Sequence, residues 1–323
     1  MNPLPFPRSI AGAALALLLG GCTAGGDVRK PIPTATYAAA QPAQRLVVVL
    51  PGRGDDLASL QRKQVAQTVQ RAWPDADVIL TGLSMPFYRQ GQAIARLHDE
   101  IIEPGQNQGN RELWIIGISL GGMGAMLHER EYPGQADGFL LLSPYLGDKA
   151  IHEEIRAAGG LAGWDPGPLQ AVEASTFQHE LWRTAKSWQQ TSARAAAVWL
   201  AYGSDEGFRK PIELFSPALP ADQVLMLPGR HDWSLWQAAL QEMLERIRLS
   251  RPQTLQHRQI QSLLPGTGLG NPVPGVGVTH DAARRIIPEH AGNALVGGSA
   301  AVADDDHAGM LRITHADAAT MVQ

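Results

Sequence analysis

One segment restricts the possible folds of this chain more than any other. An apolar run at residues 113–116 is followed directly by a Gly-x-Ser-x-Gly pattern at Gly117, Ser119 and Gly121. The run is typical of a buried strand, and the spacing of the apolar residues that follow Gly121 predicts a helix. A serine at the tip of such a turn takes a strained backbone conformation, and its neighbours lack side chains so that strand and helix can approach closely. The pattern therefore predicts that Ser119 is a nucleophile.

Short apolar runs alternate with amphipathic stretches between Arg45 and Ser250. This alternation is typical of a parallel sheet that is covered by helices on both faces. The predicted strands span residues 46–50, 78–81, 113–117, 138–143, 198–202 and 224–227. A helix capped by Asp55 or Asp56 is predicted after the first strand, and a final amphipathic helix is predicted to end near Ser250.

The Gly-x-Ser-x-Gly turn within this alternation resembles the nucleophile elbow of the α/β-hydrolase family. The resemblance covers residues 45–250 and implies an α/β-hydrolase fold. Between Cys22 and Arg45 the chain has no room for the two N-terminal strands of the eight-stranded form. We therefore expect a reduced, wholly parallel sheet of about six strands flanked by helices, as in the smaller lipases and esterases.

The resemblance also implies that an acid and then a histidine follow the serine along the chain. His231 comes directly after the last predicted strand and is the expected general base. Asp205 follows the fifth strand and is the expected acid that orients the imidazole, with Glu206 and Asp148 as alternatives. Asp232 is predicted to cap the final helix instead.

The oxyanion that forms during acyl transfer needs two convergent backbone N–H donors. The resemblance implies that Leu120, the residue after the nucleophile, supplies one of them. The other is expected from the loop at residues 51–54, through the backbone of Arg53 or alternatively of Gly54. The family often has His-Gly in this loop, whereas here the sequence is Pro-Gly-Arg-Gly. Without the resemblance, the proline and glycines of this loop indicate only a tight turn.

A long insertion, residues 148–194, separates the fourth and fifth predicted strands. It contains helical patterns at residues 151–158 and 177–188, and in this family such a connection commonly forms a cap over the active site. Its aromatic residues are candidates either for lining an apolar pocket or for packing the cap on the body. They are Trp164, Phe177, Trp182 and Trp188.

The N-terminal residues have the pattern of a targeting segment. Arg8 precedes an apolar run at residues 10–19, and Leu-Gly-Gly-Cys then ends at Cys22, the single cysteine of the chain. The pattern resembles the lipobox of bacterial lipoproteins, which implies that residues 1–21 are a signal peptide and that Cys22 is lipidated. The alternative is an ordinary secretory signal. Because Thr23 and not an Asp follows the cysteine, the resemblance implies an outer-membrane lipoprotein. Residues 22–44 are expected to be a flexible tether.

The composition changes after Ser250. Residues 251–323 contain no Phe, Trp or Tyr and include a run rich in Gly, Pro and Val, so we expect this tail to be mostly disordered. The run Asp304-Asp305-Asp306-His307 is interpreted as solvated acidic residues rather than a metal site. A net charge of −4 without a basic run gives no indication of a nucleic-acid partner.

Together these patterns predict a lipid-anchored serine hydrolase of the bacterial cell envelope that cleaves small carboxylic esters through an acyl-serine intermediate, without metal or cofactor. The His-Asp-Trp string at His231 resembles the His-x-Trp of the esterase D and enterochelin-esterase branch. One alternative is a thioesterase or an acyltransferase with the same triad. A second alternative is a non-catalytic, surface-anchored binding protein of the same fold.

Overall fold

The computed structural model describes residues 26–109 and 111–250. These residues form a seven-stranded sheet with the order β1-β3-β2-β4-β5-β6-β7. All neighbouring strands are parallel except β1, which pairs antiparallel with β3. The strands are β1 Thr34–Tyr37, β2 Arg45–Leu50, β3 Ala76–Thr81, β4 Glu112–Ile118, β5 Gly138–Leu142, β6 Val198–Gly203 and β7 Val224–Leu227.

Helices cover both faces of this sheet, as predicted. The α-helices are α1 Leu57–Arg62, α2 Val65–Ala72, α3 Met85–Arg89, α4 Ala93–Leu97, α5 Glu103–Gln106, α6 Leu120–Glu131, α7 Lys149–Ala157, α8 Phe177–Gln190, α9 Ser192–Ala195, α10 Arg209–Phe215 and α11 Trp233–Ser250. A π-helical turn, His98–Ile102, joins α4 to α5, and two short 3₁₀ turns, Ser216–Ala218 and Ala221–Gln223, follow α10. The architecture is that of the α/β-hydrolase fold.

The central strands are apolar at successive positions because both of their faces are buried. In β2, Leu46, Val48 and Leu50 pack into the core on the side of α4, α6 and α8. Val47 and Val49 point to the opposite side, into a second core formed with α2 and α11. The strand order reverses between β2 and β4, so the loops after these two strands diverge and leave a crevice at the carboxyl edge of the sheet.

The edge strand β1 differs from the sequence-based expectation of a wholly parallel sheet preceded by a flexible tether. The six predicted strands are all present, but Thr34–Tyr37 adds a seventh, in the segment expected to be a tether. Its β-branched and aromatic residues suit a strand, and it covers the otherwise open edge of β3. The preceding residues are also anchored, because the N–H of Ile32 donates to Glu100 at 2.8 Å and the Ile32 side chain is buried.

The helix predicted after β2 is two helices, α1 and α2. Asp56 caps α1 as predicted, and its carboxylate accepts a hydrogen bond from the N–H of Ser59 at 2.7 Å. Leu60 and Val65 are five residues apart, a spacing that would turn them away from each other on one continuous helix. A left-handed residue between the helices, Gln64 with φ +53°, brings both side chains into the same core.

The insertion after β5 is helical as predicted, but α8 packs along α6 as part of the helical layer. Trp164, Trp182 and Trp188 are buried in the core on that side, so they pack the body of the domain. Phe177 is partly buried against the same core.

Glu180 on α8 is a buried carboxylate that pairs with two arginines. Burial alone would raise the pKa of Glu180, but hydrogen bonds from Arg183 and from Arg130 of α6 lower this pKa below its usual value.

His128 on α6 is a buried histidine without a hydrogen-bond partner among the described residues. Its side chain is fully buried, stacks on Tyr132 with ring centroids 5.0 Å apart, and has no hydrogen-bond partner for either ring nitrogen within the described residues. Burial, aided by the charge of nearby His98, lowers the pKa of His128 to about 3. The unfolded chain takes up this proton near its ordinary pKa of about 6.5, so the folded state loses stability as the pH falls below that value.

We therefore expect the free energy of unfolding to fall by about 2 kcal/mol more between pH 6.5 and pH 5 in the parent than in His128→Phe. Denaturant melts at the two pH values measure this difference. His179→Gln is the control, because the His179 side chain is partly exposed and faces Glu154 at 3.3 Å instead of lying unpartnered in the core, and it should keep most of the slope of the parent. An identical pH slope in the parent and in His128→Phe would contradict this reading of His128.

Several sequence-based predictions lie outside the described residues. They are the signal peptide at residues 1–21, the lipidated Cys22 and the C-terminal tail at residues 251–323. Among the helices of residues 26–109 and 111–250, none combines the length and apolarity that a bilayer span requires.

Candidate active site

Ser119 lies at the tip of the turn between β4 and α6. Its backbone has φ +51° and ψ −108°, a conformation that side-chain-bearing residues rarely adopt. Hydrogen bonds fix this conformation: the N–H of Ser119 donates to Leu142 O at 2.9 Å, and Ser119 O accepts from the N–H of Tyr145 at 2.9 Å. The turn is thus braced by the loop after β5, which holds the side chain at the carboxyl edge of the sheet.

The glycines of the motif permit the close approach that the sequence predicts. A Cβ atom on Gly121 would lie 2.3 Å from Leu50 O in β2, and one on Gly117 would lie 2.5 Å from Gly121 O. Both distances are far below van der Waals contact. Alanine at either position would therefore push α6 away from the strands that support Ser119.

His231 lies in the loop between β7 and α11, within hydrogen-bond distance of the serine. Its Nε2 is 2.9 Å from the Oγ of Ser119. Two aromatic rings meet the imidazole edge-on: Phe208 at a centroid distance of 4.7 Å and Trp236 at 4.9 Å. These contacts restrict ring rotation, so the structure brings together the predicted nucleophile and the predicted base.

The acidic residue beside His231 is Glu206, the alternative considered from the sequence, and not Asp205. Oε2 of Glu206 lies 3.5 Å from Nδ1 of His231, and the Glu206 side chain is completely buried. Asp205 is exposed to solvent. Its backbone N–H donates to Gly229 O at 2.9 Å, which fixes the loop so that the next residue turns inward. The preference for Asp205 is corrected on this geometry.

Asp148, the other alternative acid, is engaged elsewhere. Its carboxylate accepts hydrogen bonds from the hydroxyl of Tyr145 at 2.6 Å and from Nε2 of Gln178 at 3.1 Å. Burial and this hydrogen bond raise the pKa of Tyr145 above its usual value, so the phenol stays protonated and donates. Asp148 therefore ties α8 to the loop after β5.

The loop after β2 lies directly beside the serine. A Cβ atom on Gly52 would be 3.7 Å from the Cβ of Ser119. The N–H of Asp55 donates to Gly52 O at 3.1 Å and closes a turn that contains Arg53 and Gly54. Both Arg53 and Gly54 are exposed, whereas Leu120, at the start of α6, is buried. The two segments predicted to supply oxyanion donors thus flank Ser119.

Asp55 joins this loop to the loop that carries His231. Its carboxylate accepts from Nε1 of Trp233 at 3.0 Å and from the hydroxyl of Ser59 at 2.7 Å. Asp232 caps α11 as predicted, since its Oδ1 accepts from the N–H of Ser234 at 2.9 Å. Sequence reasoning missed the role of Asp55, for which the only available signal was the tryptophan that follows the His-Asp pair.

One group of possible metal ligands occurs within the described residues, remote from this site. His98, Asp99 and Glu103 have ligand atoms within 4.8 Å of one another. His98 stacks on Tyr132 with ring centroids 3.8 Å apart. Tyr132 directly follows α6 at the end opposite Ser119, so the length of this helix, about 18 Å, separates Tyr132 from the serine. The arrangement around Ser119 does not involve this group.

The fold is that of the α/β hydrolases, and a serine and a histidine are in contact at the turn that corresponds to its nucleophile elbow. Residues 97–247 match the family described as "Putative esterase". This range includes Ser119, Glu206 and His231. The match favours ester hydrolysis. No curated protein gives a significant match to the sequence.

Solved structures with a similar fold include esterases and lipases. A monoacylglycerol lipase from Paleococcus ferrophilus has 16% identity and a TM-score of 0.45, and the alignment covers 67% of this chain and 99% of the lipase. For S-formylglutathione hydrolase from Staphylococcus aureus the identity is 14% and the TM-score 0.45, over 65% and 83% of the two chains. A ferulic acid esterase has 13% identity and a TM-score of 0.47, over 68% and 97%.

Proposed function

We propose that the protein is a serine hydrolase that cleaves carboxylic esters through an acyl-serine intermediate. The observation that carries the proposal is the contact of 2.9 Å between Nε2 of His231 and Oγ of Ser119 on a strained elbow. A serine hydroxyl is a poor nucleophile at neutral pH unless an adjacent base accepts its proton during attack. His231 is the base in that position, and the family match favours an ester as the substrate.

In the first step, Oγ of Ser119 attacks the ester carbonyl carbon while Nε2 of His231 takes the hydroxyl proton. The imidazolium that forms is stabilised by Glu206, whose carboxylate faces Nδ1 at 3.5 Å. Because the carboxylate is buried, its attraction for the imidazolium is little screened by water. Collapse of the tetrahedral intermediate releases the alcohol, which receives the proton from Nε2.

In the second step, water attacks the acyl-serine as His231 accepts its proton, and the carboxylic acid product leaves Ser119 with its hydroxyl restored. The oxyanion of both tetrahedral intermediates would accept hydrogen bonds from the backbone N–H groups of Leu120 and Arg53. The proximity of the Gly52 loop to Ser119 supports this assignment. The chemistry requires no metal or cofactor.

The proposal is tested by assaying the detergent-solubilised full chain on a matched panel of p-nitrophenyl esters, thioesters and anilides with graded acyl chains. We expect saturable hydrolysis of short esters. Faster turnover of thioesters would change the assigned reaction to that of a thioesterase, and acyl transfer to an added alcohol in preference to water would indicate an acyltransferase. Turnover of none of these would favour the non-catalytic binding protein.

We also propose that the protein is anchored in the bacterial cell envelope through a lipid on Cys22, in the outer membrane. The support is the sequence alone: an apolar run of signal-peptide length, small residues before the single cysteine, and Thr23 after it. The catalytic domain would then act on substrates near the membrane surface.

Cys22→Ser is expected to move the protein from the membrane fraction to the soluble fraction, because the cysteine thiol is the only group that can receive the lipid thioether. Fractionation followed by immunoblotting measures this, and metabolic labelling with an alkyne fatty acid should mark the parent and not the variant. Membrane association that survives the substitution, without label in the parent, would refute the anchor.

A further inference from the structure

Ser143, directly after β5, has a backbone conformation that favours glycine. Its φ is +46°, and its side chain is fully buried. Among the described residues other than glycine, only Gln64, Ser119 and Ser143 have positive φ. Holding a serine in this region costs about 1 kcal/mol or more in strain, which persists where the side chain serves a purpose.

The hydroxyl of Ser143 connects the buried acid to a tryptophan. Its Oγ donates to Oε2 of Glu206 at 2.6 Å and accepts from Nε1 of Trp236 at 3.1 Å. The direction of both hydrogen bonds is fixed, because an indole N–H only donates and an ionised carboxylate only accepts. Trp236 therefore orients the single proton of the Ser143 hydroxyl toward Glu206.

The carboxylate of Glu206 has few other partners. Within the described part of the chain, its Oε1 is buried without a hydrogen-bond partner. Its Oε2 accepts from the Ser143 hydroxyl and lies 3.5 Å from Nδ1 of His231, which is longer than a normal hydrogen bond. A buried carboxylate is stabilised mainly by the donors that face it. Without the hydroxyl, the Glu206 side chain would lose the contact that fixes Oε2 in front of Nδ1.

We propose that Ser143 and Trp236 are positioning residues that hold the Glu206 carboxylate against His231. Neither acts on the substrate: Ser143 works through Glu206, and Trp236 works through Ser143 and by packing edge-on against the His231 ring at 4.9 Å. The inference rests on the proposed function, because it assigns Glu206 the task of orienting the base. It extends the serine, histidine and acid by a defined chain of two further side chains.

Ser143→Gly tests the inference without backbone strain, since glycine suits the positive φ. We expect kcat to fall about 10- to 100-fold, the effect of losing one hydrogen bond to a buried charge, with KM unchanged. The thermal unfolding midpoint should stay close to that of the parent. Ser84→Gly is the matched control, because Ser84 is also a buried serine and its hydroxyl accepts a hydrogen bond from the backbone N–H of Gly26 at 3.3 Å, and it should keep the parent kcat.

Trp236→Phe keeps an aromatic ring beside His231 and removes the N–H donor, so it tests the outer link independently of Ser143. We expect a fall in kcat of about 3- to 10-fold, smaller than for Ser143→Gly. A fall in kcat of the same size in Ser84→Gly, or a KM effect without a kcat effect in either site variant, would overturn the positioning role.

A double-mutant cycle separates positioning from general destabilisation. If Ser143 acts through Glu206, then Ser143→Gly should lower kcat by less than about threefold in a Glu206→Gln background. Multiplication of the two single losses would overturn the inference while leaving the proposed function intact. If the parent protein neither hydrolyses esters nor reacts with a fluorophosphonate, both the proposed function and the positioning role are overturned. Failure of the proposed function is therefore visible in the parent protein, without any variant.

Discussion

Ser119→Ala is expected to lower kcat for a p-nitrophenyl ester by about 10⁴- to 10⁶-fold, because the substitution removes the atom that forms the acyl intermediate. The variant should fold as the parent does, since alanine is smaller and the strained turn is fixed by two backbone hydrogen bonds, one from the N–H of residue 119 to Leu142 O and one from the N–H of Tyr145 to the carbonyl of residue 119. Steady-state rates after two rounds of purification measure the effect, and circular dichroism checks the fold.

Cysteine at this position supplies a further control. Ser119→Cys keeps a nucleophile in contact with His231, so an alkylating reagent should modify the peptide that contains residue 119, whereas the same peptide of Ser119→Ala should stay unmodified whatever the state of Cys22. Retention of more than about one-hundredth of the parent rate in Ser119→Ala, with a native spectrum, would show that another group performs the attack.

Glu206→Gln is expected to lower kcat by about 10³- to 10⁴-fold with little change in KM. The amide cannot stabilise the imidazolium by charge, and its NH₂ group favours the wrong tautomer of His231. Asp205→Asn is the matched control: it makes the same chemical change one residue away, on an exposed side chain, and should keep kcat within about twofold.

These two variants also distinguish the possible acids directly. A large loss in Asp205→Asn together with a small one in Glu206→Gln would contradict the geometry around His231. Asp148→Asn provides a third comparison, because Asp148 follows β5 but is bound to Tyr145 and Gln178. We expect it to affect stability more than kcat.

The strands and the elbow could be predicted from the sequence because local signals there are strong. A parallel strand buried on both faces is a continuous apolar run, and β2, β4 and β5 each show one. The elbow needs glycine at Gly117 and Gly121 because a Cβ atom at either position would clash with backbone atoms. The position of His231 after the last strand followed from chain order alone.

The acid could not be chosen between Asp205 and Glu206 because a loop has no periodicity that says which side chain points inward. The choice depends on a hydrogen bond between distant segments, from the N–H of Asp205 to Gly229 O. Ser143 was included in a predicted strand for a similar reason: its special φ becomes visible only when the strand end, Trp236 and Glu206 are in place.

The edge strand β1 and the packing of the insertion after β5 also could not be predicted from local sequence. Thr34–Tyr37 is too short and too polar to stand out from a tether until β3 offers it an open edge. From the sequence, the tryptophans of the insertion could line a pocket or pack against the body of the domain. Their burial in the core and the ion pair of Glu180 on α8 with Arg130 on α6 show that they pack against the body. Tertiary contacts of this kind override what local composition predicts.

Reaction with a fluorophosphonate followed by peptide mapping decides whether Ser119 is an activated nucleophile. We expect one equivalent of adduct on the peptide that contains Ser119, with labelling abolished in Ser119→Ala, greatly slowed in His231→Gln, and lost after heat denaturation. An adduct on any other residue, or an intact folded protein that does not react at all, would contradict it.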